Sequence, residues 1–145
     1  MPTLPRVIIY TDGACVPNPG MGGWAALLRF GTHEKILTGN APDTTNNRME
    51  LTAAVEALQA LNRACRVEIY TDSEYLKRGI TEWLPNWRQR GWKRKNGTLA
   101  NADLWQALAA VLEDHPVTWH WVRGHSGDPN NERVDRLANT AIYKA

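Results

Sequence analysis

Hydrophobic positions in the first third of the chain follow the pattern of β-strands. Residues 7–12 form a short run that is apolar on both faces, which is typical of a strand at the centre of a sheet. Residues 24–30 and 34–39 predict two further strands, joined at Gly31-Thr32. We expect these three strands to form an antiparallel meander.

Helical spacing dominates the chain after residue 44. The capping residues Thr44-Thr45-Asn46-Asn47 precede a helix that runs to about Leu61 and carries an apolar stripe. The later elements are, in order, a strand over 67–71, a helix from Ser73 to about Ile80, a basic segment, a helix capped by Asn101, a strand over 117–122 and a final helix that begins at Asp128-Pro129. This order, βββαβαααβα, predicts one α/β domain over residues 1–145, with right-handed helical crossovers between its later strands.

The composition excludes several classes of protein. The hydrophobic and charged fractions, 43% and 22%, are those of an ordinary globular domain. The two cysteines lack CxxC spacing, so they indicate a reducing compartment and neither a disulfide framework nor a zinc site. Since the sequence contains no export signal and no apolar stretch of membrane-spanning length, we expect a cytoplasmic protein without a membrane partner.

The net charge of +2 is distributed unevenly along the chain. Between residues 77 and 95 there is one acid, Glu82, so this segment carries +6 and the rest of the chain −4. A strongly basic segment on an acidic body is typical of a protein that binds a polyanion, although a solvated helix face is the ordinary alternative. Its basic residues are Lys77, Arg78, Arg88, Arg90, Lys93, Arg94 and Lys95.

Four carboxylates occupy positions that are unusual for acidic side chains. Asp12 and Asp72 each follow an apolar strand, so two adjacent parallel strands would bring them to one edge of the sheet. Glu50 and Asp135 lie on or beside the apolar faces of their predicted helices. Each has an ordinary alternative, because Asp12 can open a turn, Asp72 can help to cap a helix and the helix acids can form salt bridges.

Together the four acids indicate a cation site. Carboxylates without a cysteine or a histidine cluster suit a hard divalent cation, and Mg²⁺ also bridges to phosphate oxygens. Two such ions can hold an attacking water and a leaving oxygen in line across a phosphate. The sequence lacks the GxxxxGKS loop, the Gly-x-Ser-x-Gly motif and an EF-hand loop, so it does not indicate the chemistries that use them.

His125 is the histidine with a candidate role. It lies between glycines, in the loop before the helix that bears Asp135. A histidine on such a loop can reach a substrate and transfer protons near neutral pH, and an exposed loop residue without a function is the alternative.

These segments together resemble the bacterial type of the ribonuclease HI family over almost the entire chain. The resemblance is carried most specifically by the asparagine-rich block before Glu50 and by the Gly-His loop before the last acid. The matching segments are Tyr10-Thr11-Asp12-Gly13-Ala14-Cys15, Asn18-Pro19-Gly20, Thr44 to Leu51, Thr71-Asp72-Ser73, Trp87 to Trp92, Val122-Arg123-Gly124-His125, Asn131-Glu132-Arg133 and Asp135. The resemblance implies an RNase H-like fold, in which helices flank a five-stranded mixed sheet made of an antiparallel meander and two parallel strands.

The resemblance also implies an activity, which is endonucleolytic hydrolysis of the RNA strand of an RNA–DNA hybrid with 5′-phosphate and 3′-hydroxyl ends. Asp12, Glu50, Asp72 and Asp135 would bind two Mg²⁺ ions, or Mn²⁺ as a substitute, with Asp12 touching both. His125 would help to deprotonate the water or to release the product. We expect a monomer without an obligate protein partner, and little sequence specificity, because contacts to 2′-hydroxyls and phosphates do not distinguish bases.

The remaining implied contacts concern the hybrid substrate. Asn18, Asn46 and Asn47, with backbone groups near Gly13 and Cys15, would face the RNA minor groove. Arg29, Thr45 and Asn101 would hold a DNA-strand phosphate. The basic protrusion at about residues 80–95 would bind phosphates through Arg88, Arg90, Lys93 and Arg94. Trp87 and Trp92 can either stack on nucleic acid or pack inside the protein, whereas packing is favoured for Trp83.

Two other functions fit parts of this pattern. A hybrid-binding module without catalysis would use the basic segment and the asparagines, but would not need four acids. Another two-metal nuclease of the same broad fold, such as an integrase-like or resolvase-like enzyme, would share the acids but would not need the asparagine block.

Overall fold

The structure is a computed structural model and describes residues 4–89, 91, 100–122 and 128–144. Its strands are β1 (Arg6–Cys15), β2 (Gly20–Phe30), β3 (His33–Thr44), β4 (Arg66–Thr71) and β5 (Val117–Trp121). Its helices are α1 (Asn46–Gln59), α2 (Glu74–Arg78), α3 (Leu84–Gln89), α4 (Ala102–Leu112) and α5 (Pro129–Ala141), and a π-helical turn (Gly79–Trp83) joins α2 to α3.

The five strands form one mixed sheet with the order β3-β2-β1-β4-β5. β1, β2 and β3 pair as the predicted antiparallel meander, whereas β4 pairs in parallel with both β1 and β5. The predicted α/β fold with a five-stranded mixed sheet is therefore confirmed. The parallel pairing of β1 with β4 matters most for the site, since it aligns the strands that precede Asp12 and Asp72.

The first three strands are longer than their hydrophobic patterns predict. β1 continues past Asp12 to Cys15, and β2 begins at Gly20. Glycine is depleted in strands, so its presence hid this part of the ladder from the pattern. A Cβ atom on Gly23 would lie 2.4 Å from the carbonyl oxygen of Ala138 in α5, which shows that the helix packs directly on the backbone of β2 there.

The sheet carries helices on both faces. The larger core lies between the sheet and the helices α1 and α4, where Ile9 of β1 and Leu51 and Leu58 of the predicted α1 stripe are fully buried. The smaller core lies between the sheet and α5, and includes Tyr10 of β1 and Val134. Because successive strand residues point to opposite faces, β1 contributes to both cores.

Helix starts follow the predicted caps with one correction. The Thr45 hydroxyl accepts a hydrogen bond from the Arg48 N–H at 3.2 Å, and the Asp128 carboxylate accepts one from the Asn130 N–H at 2.9 Å. Asn101 precedes α4, as predicted, but its backbone is left-handed (φ 58°) and its side chain makes no capping hydrogen bond. Its amide is instead bonded to side chains of α1 and α2, which are described with the site.

Four aromatic side chains connect the π-helical turn and α3 to the body of the protein. Trp83 and Trp87 pack against each other and against Tyr75 and Trp105, with ring centroids 5.4–5.7 Å apart. Trp87 therefore packs in the same cluster as Trp83, and both side chains are half-buried. None of the helices that the structure describes is long and apolar enough to span a membrane.

Candidate active site

Asp12 and Asp72 meet at the carboxyl ends of the parallel strands β1 and β4. Tyr10 and Tyr70 form the last pair of that ladder, and their rings stack with centroids 5.0 Å apart. The two aspartates follow two residues later, on the same side of neighbouring strands. β4 ends before Asp72, as predicted, whereas Asp12 lies inside β1, opposite Ala25 of β2.

Glu50 joins the two aspartates because α1 begins very close to β1. A Cβ atom on Gly13 would lie 2.4 Å from the Glu50 nitrogen and 2.5 Å from the Met49 carbonyl carbon. Glycine is thus the residue that allows this approach. One carboxylate oxygen from each of Asp12, Glu50 and Asp72 lies within 4.8 Å of the others.

The carboxylate of Glu50 is oriented by hydrogen bonds to both of its oxygens. The Ser73 hydroxyl donates to Oε2 in a short contact, and the Asn46 amide donates to Oε1 at 3.2 Å. Ser73 also accepts from the Leu76 N–H at 3.0 Å and so caps α2. The sequence pattern predicted a helix starting at Ser73 but not this second contact, for which the N-cap position next to Asp72 was the available signal.

Asp135 reaches the group from α5, on the other face of the sheet. Its carboxylate lies near that of Asp12 and raises the pKa of Asp12. The Asn139 amide, one helical turn later, donates to the Asp135 backbone oxygen at 2.9 Å and to Oδ1 at 3.4 Å. All four predicted acids, which are distant in sequence, are therefore brought together.

Burial and mutual repulsion change the acidity of this group. Burial, the charge of Asp72 and the neighbouring Asp135 carboxylate raise the pKa of Asp12 to about 9, against the opposing effect of the Gly13 N–H. Burial raises the pKa of Glu50 to about 7, although the bonds from Ser73 and Asn46 oppose it. The positive charge of a bound cation would oppose both shifts by favouring the ionised carboxylates, and an all-carboxylate donor set suits a hard divalent ion.

The residues predicted to face the RNA strand lie along the rim next to Glu50. The Asn18 side-chain oxygen accepts a hydrogen bond from the Asn46 N–H at 3.1 Å, which ties the β1–β2 loop to the start of α1. Cys15 is half-buried, with its thiol 3.2 Å from the carbonyl oxygen of Pro17. Asn47 is half-buried on the first turn of α1.

Two of the three residues predicted to hold a DNA-strand phosphate lie near each other, and Arg29 does not join them. Thr45 caps α1, and Asn101 is bonded to Arg48 of the same helix at 3.2 Å. Arg29 lies four positions along β2 from the partner of Asp12, roughly 13 Å away at the rise of a strand, and is ion-paired with Glu34 at 3.3 Å.

The cation next to Asn101 is Arg48, which the sequence pattern did not single out. Its guanidinium also forms two hydrogen bonds to Asp103, of 3.0 and 2.8 Å. The Asn101 amide donates to the Tyr75 hydroxyl at 2.9 Å, so helices α1, α2 and α4 share one polar network. The available signal for Arg48 in the sequence was its position in the asparagine-rich block that precedes Glu50.

Of the remaining predicted residues, Arg88 lies in the described part of the chain and the others lie outside it. Arg88 is exposed on α3 and donates a hydrogen bond to the Ala109 carbonyl oxygen at 3.1 Å. Five predicted residues lie outside the described part of the chain: His125, Arg90, Trp92, Lys93 and Arg94.

Comparison with known proteins shows the family to which the chain belongs. The ribonuclease H family profile matches residues 5–143. A ribonuclease HI of Pseudomonas aeruginosa is 60% identical over 138 residues, covering 94% of this chain and 93% of the relative. A ribonuclease H of Cupriavidus pinatubonensis is 57% identical over 140 residues, covering 96% and 97%.

A solved structure extends the likeness to the fold. The crystal structure of LC9-RNase H1, a type 1 RNase H with the type 2 active-site motif, matches with a TM-score of 0.88 and 37% identity. The match covers 98% of this chain and 74% of that one. The chain belongs to the ribonuclease H family. It is a ribonuclease H enzyme, as the identity over nearly the whole length of its relatives indicates.

Proposed function

We propose that this ribonuclease H cleaves the RNA strand of RNA–DNA hybrids endonucleolytically, with little sequence specificity, and leaves 5′-phosphate and 3′-hydroxyl ends. The observation that carries the proposal is the group of Asp12, Glu50 and Asp72, whose carboxylate oxygens lie within 4.8 Å of one another. Ionised carboxylates so close together repel one another unless a cation lies between them, and phosphodiester hydrolysis is a reaction that such a cation assists.

The cofactor in this proposal is Mg²⁺, two ions with substrate bound, with Mn²⁺ as a possible substitute. Asp12, Glu50, Asp72 and Asp135 would hold it, and Asp12, which is only 6% exposed at the centre of the group, would touch both ions. When bound, the cation makes water more acidic and neutralises charge that develops on the phosphate oxygens.

The chain's own residues hold the acids in place before substrate arrives. Ser73 and Asn46 orient Glu50, and Asn139 donates to Asp135. Side chains oriented in advance need little reorganisation during the reaction, which lowers its barrier. His125 is proposed to take or return the proton of the attacking water or the leaving group.

Substrate recognition is proposed to use two different surfaces. Asn18, Asn46 and Asn47 would contact 2′-hydroxyls and base edges of the RNA strand. A hybrid differs from RNA–RNA and DNA–DNA duplexes in carrying 2′-hydroxyls on one of its two strands. Thr45 and Asn101 would hold a DNA-strand phosphate. We include Arg48 at that place, because its guanidinium lies 3.2 Å from the Asn101 oxygen, whereas Arg29 lies at the far end of β2.

The broader setting is also a proposal. We infer one ribonuclease H domain over residues 1–145 with a basic helical protrusion at about 80–95, which acts as a cytoplasmic monomer. The exposed Arg88 on α3 and the surplus of basic residues between 77 and 95 support the assignment of this protrusion to phosphate binding.

The direct test compares matched RNA–DNA, RNA–RNA and DNA–DNA duplexes of one sequence, incubated with the protein in Mg²⁺. We expect cleavage of the RNA strand of the hybrid alone, at many positions, with product ends identified by their response to phosphatase and ligase. Asp12→Asn should bind the hybrid but reduce cleavage by at least about a thousandfold. Binding without cleavage by the parent protein would instead identify a binding module, and cleavage of DNA–DNA would identify another nuclease.

A further inference from the structure

The tip of the β1–β2 hairpin is an exposed apolar surface beside the acidic group. Val16 is 52% exposed and Met21 is 45% exposed, and both are among the exposed large hydrophobic residues of the described chain. They face each other across the loop, because the Val16 N–H donates to the Met21 carbonyl oxygen at 2.9 Å. Pro17 and Pro19 between them are exposed as well, and these four residues are here called the hairpin tip.

The hairpin tip is tied to the active site by hydrogen bonds. The amide side chain within this loop, Asn18, accepts from the Asn46 N–H at 3.1 Å. The side chain of Asn46 then donates to Glu50 at 3.2 Å. One residue thus joins the loop to a candidate metal ligand, so a nucleic acid bound over the acids would pass the tip.

The hairpin tip cannot bind phosphate through charge. Residues 13–28 include no charged side chain, in a chain of which 22% is charged. Without a lysine or an arginine the tip has no cation to pair with a phosphate, whereas the carbon–hydrogen faces of the sugars are an apolar surface of a duplex whose minor groove is wide and shallow.

We propose that Val16 and Met21 pack against sugar rings at the edge of the minor groove of the bound hybrid and so determine how tightly it is seated over the acids. This inference rests on the proposed function and adds a salt-independent contact to it. Burying two half-exposed aliphatic side chains favours binding through the hydrophobic effect, and the charges of the duplex do not enter.

The test uses a double variant that keeps the shape of both side chains. Val16→Thr with Met21→Gln replaces apolar surface by polar surface of similar size, and the backbone bond between the two residues is retained. We expect the KM for a short RNA–DNA hybrid to rise by about threefold to tenfold with kcat nearly unchanged. The slope of log KM against log salt concentration should equal that of the parent, since the phosphates of the hybrid are bound as before.

The matched control is Leu4→Gln with Ile36→Thr. Both residues are 41% exposed, Leu4 before the start of β1 and Ile36 on the edge strand β3, so the control removes similar apolar surface away from the acids. Its KM should equal that of the parent, and melting temperatures should confirm that all three proteins are folded.

Each other outcome has a definite meaning. An unchanged KM in the tip variant, with a parent protein that cleaves the hybrid, overturns the inference and leaves the proposed function intact. A raised KM with a shallower salt slope also overturns it, because the tip would then act through phosphates. A parent protein that does not cleave the hybrid contradicts the proposed function itself.

Discussion

At the scale of single residues, Ser73 performs two separable tasks with one hydroxyl group. It accepts from the Leu76 N–H as the cap of α2, and it donates to Glu50. Ser73→Ala should therefore destabilise the protein by about 1 kcal/mol through the lost cap. It should also lower kcat by about tenfold, because Glu50 loses the group that orients it.

The conservative variant Ser73→Thr distinguishes the loss of the hydroxyl group, which orients Glu50, from a general effect of substitution at this position. Ser73→Thr keeps the hydroxyl and should retain most of both stability and kcat. The two variants are compared by urea unfolding and by initial rates on the hybrid. A Ser73→Ala enzyme that is less stable but cleaves at the parent rate would show that the hydrogen bond to Glu50 has no part in the reaction.

The acidic group also predicts how stability depends on pH without metal. The pKa of Asp12 is about 9 and that of Glu50 about 7, both far above the value near 4 of an exposed carboxyl group. At pH values between about 4 and these raised pKa values, the folded protein holds protons on Asp12 and Glu50 that the unfolded chain has released. The free energy of unfolding must therefore fall as pH rises from about 4 to about 9.

The contribution of Asp12 can be isolated with Asp12→Asn in EDTA. The variant should lose less stability over this pH range and should exceed the parent by on the order of 2 kcal/mol near pH 8. Added Mg²⁺ should raise the melting temperature of the parent more than that of the variant. Parallel curves for the two proteins in EDTA would mean that Asp12 does not titrate in this range.

At the scale of secondary structure elements, the approach of α1 to β1 at Gly13 delivers Glu50 to the aspartates. A methyl group there would collide with the backbone of Met49 and Glu50. Gly13→Ala should destabilise the protein by about 1–3 kcal/mol, since overpacking displaces the helix. Because the displaced helix carries Glu50, kcat should fall by at least about tenfold even where the variant is fully folded.

Gly31→Ala provides the matched glycine control. Gly31 has a φ of 59° in the β2–β3 turn and no neighbour within 4 Å of a Cβ atom, so alanine there adds backbone strain without a collision. We expect a loss of roughly 1–2 kcal/mol with an unchanged kcat. Thermal unfolding and hybrid cleavage at a temperature where both variants are folded distinguish the two cases, and equal kcat values would contradict the role of Gly13.

The patterns of the chain predicted the elements better than the contacts between them. Periodicity placed Glu50 and Asp135 on inward helix faces, and parallel strands then required Asp12 and Asp72 to meet. The bond from Ser73 to Glu50 depends on the distance between two elements, which local pattern does not contain. Asn101 shows the same limit, because its amide is bonded to Arg48 and Tyr75 in place of its own helix.

At the scale of the whole molecule, the segregation of charge predicts how binding and catalysis separate. Residues 77–95 carry +6 and the remainder −4, so phosphates are attracted to the basic segment, whereas the acidic group attracts cations. Replacing Arg88, Arg90, Lys93 and Arg94 by glutamine should raise the KM for the hybrid with little change in kcat. The slope of log affinity against log salt should become shallower, by up to about 0.9 for each phosphate that the variant no longer binds.

A control with the same change of net charge shows whether position or total charge matters. Lys35, Arg63, Arg66 and Lys144 are exposed and none lies in the basic segment; Arg66 begins β4, at the opposite end from Asp72. Their replacement by glutamine should alter the KM and its salt slope far less than the replacement in the basic segment. Attraction at a distance depends on net charge, whereas counterion release requires a cation to reach a phosphate. Equal effects of the two replacements would therefore mean that the net charge of the whole protein, and not direct binding by the protrusion, attracts the hybrid.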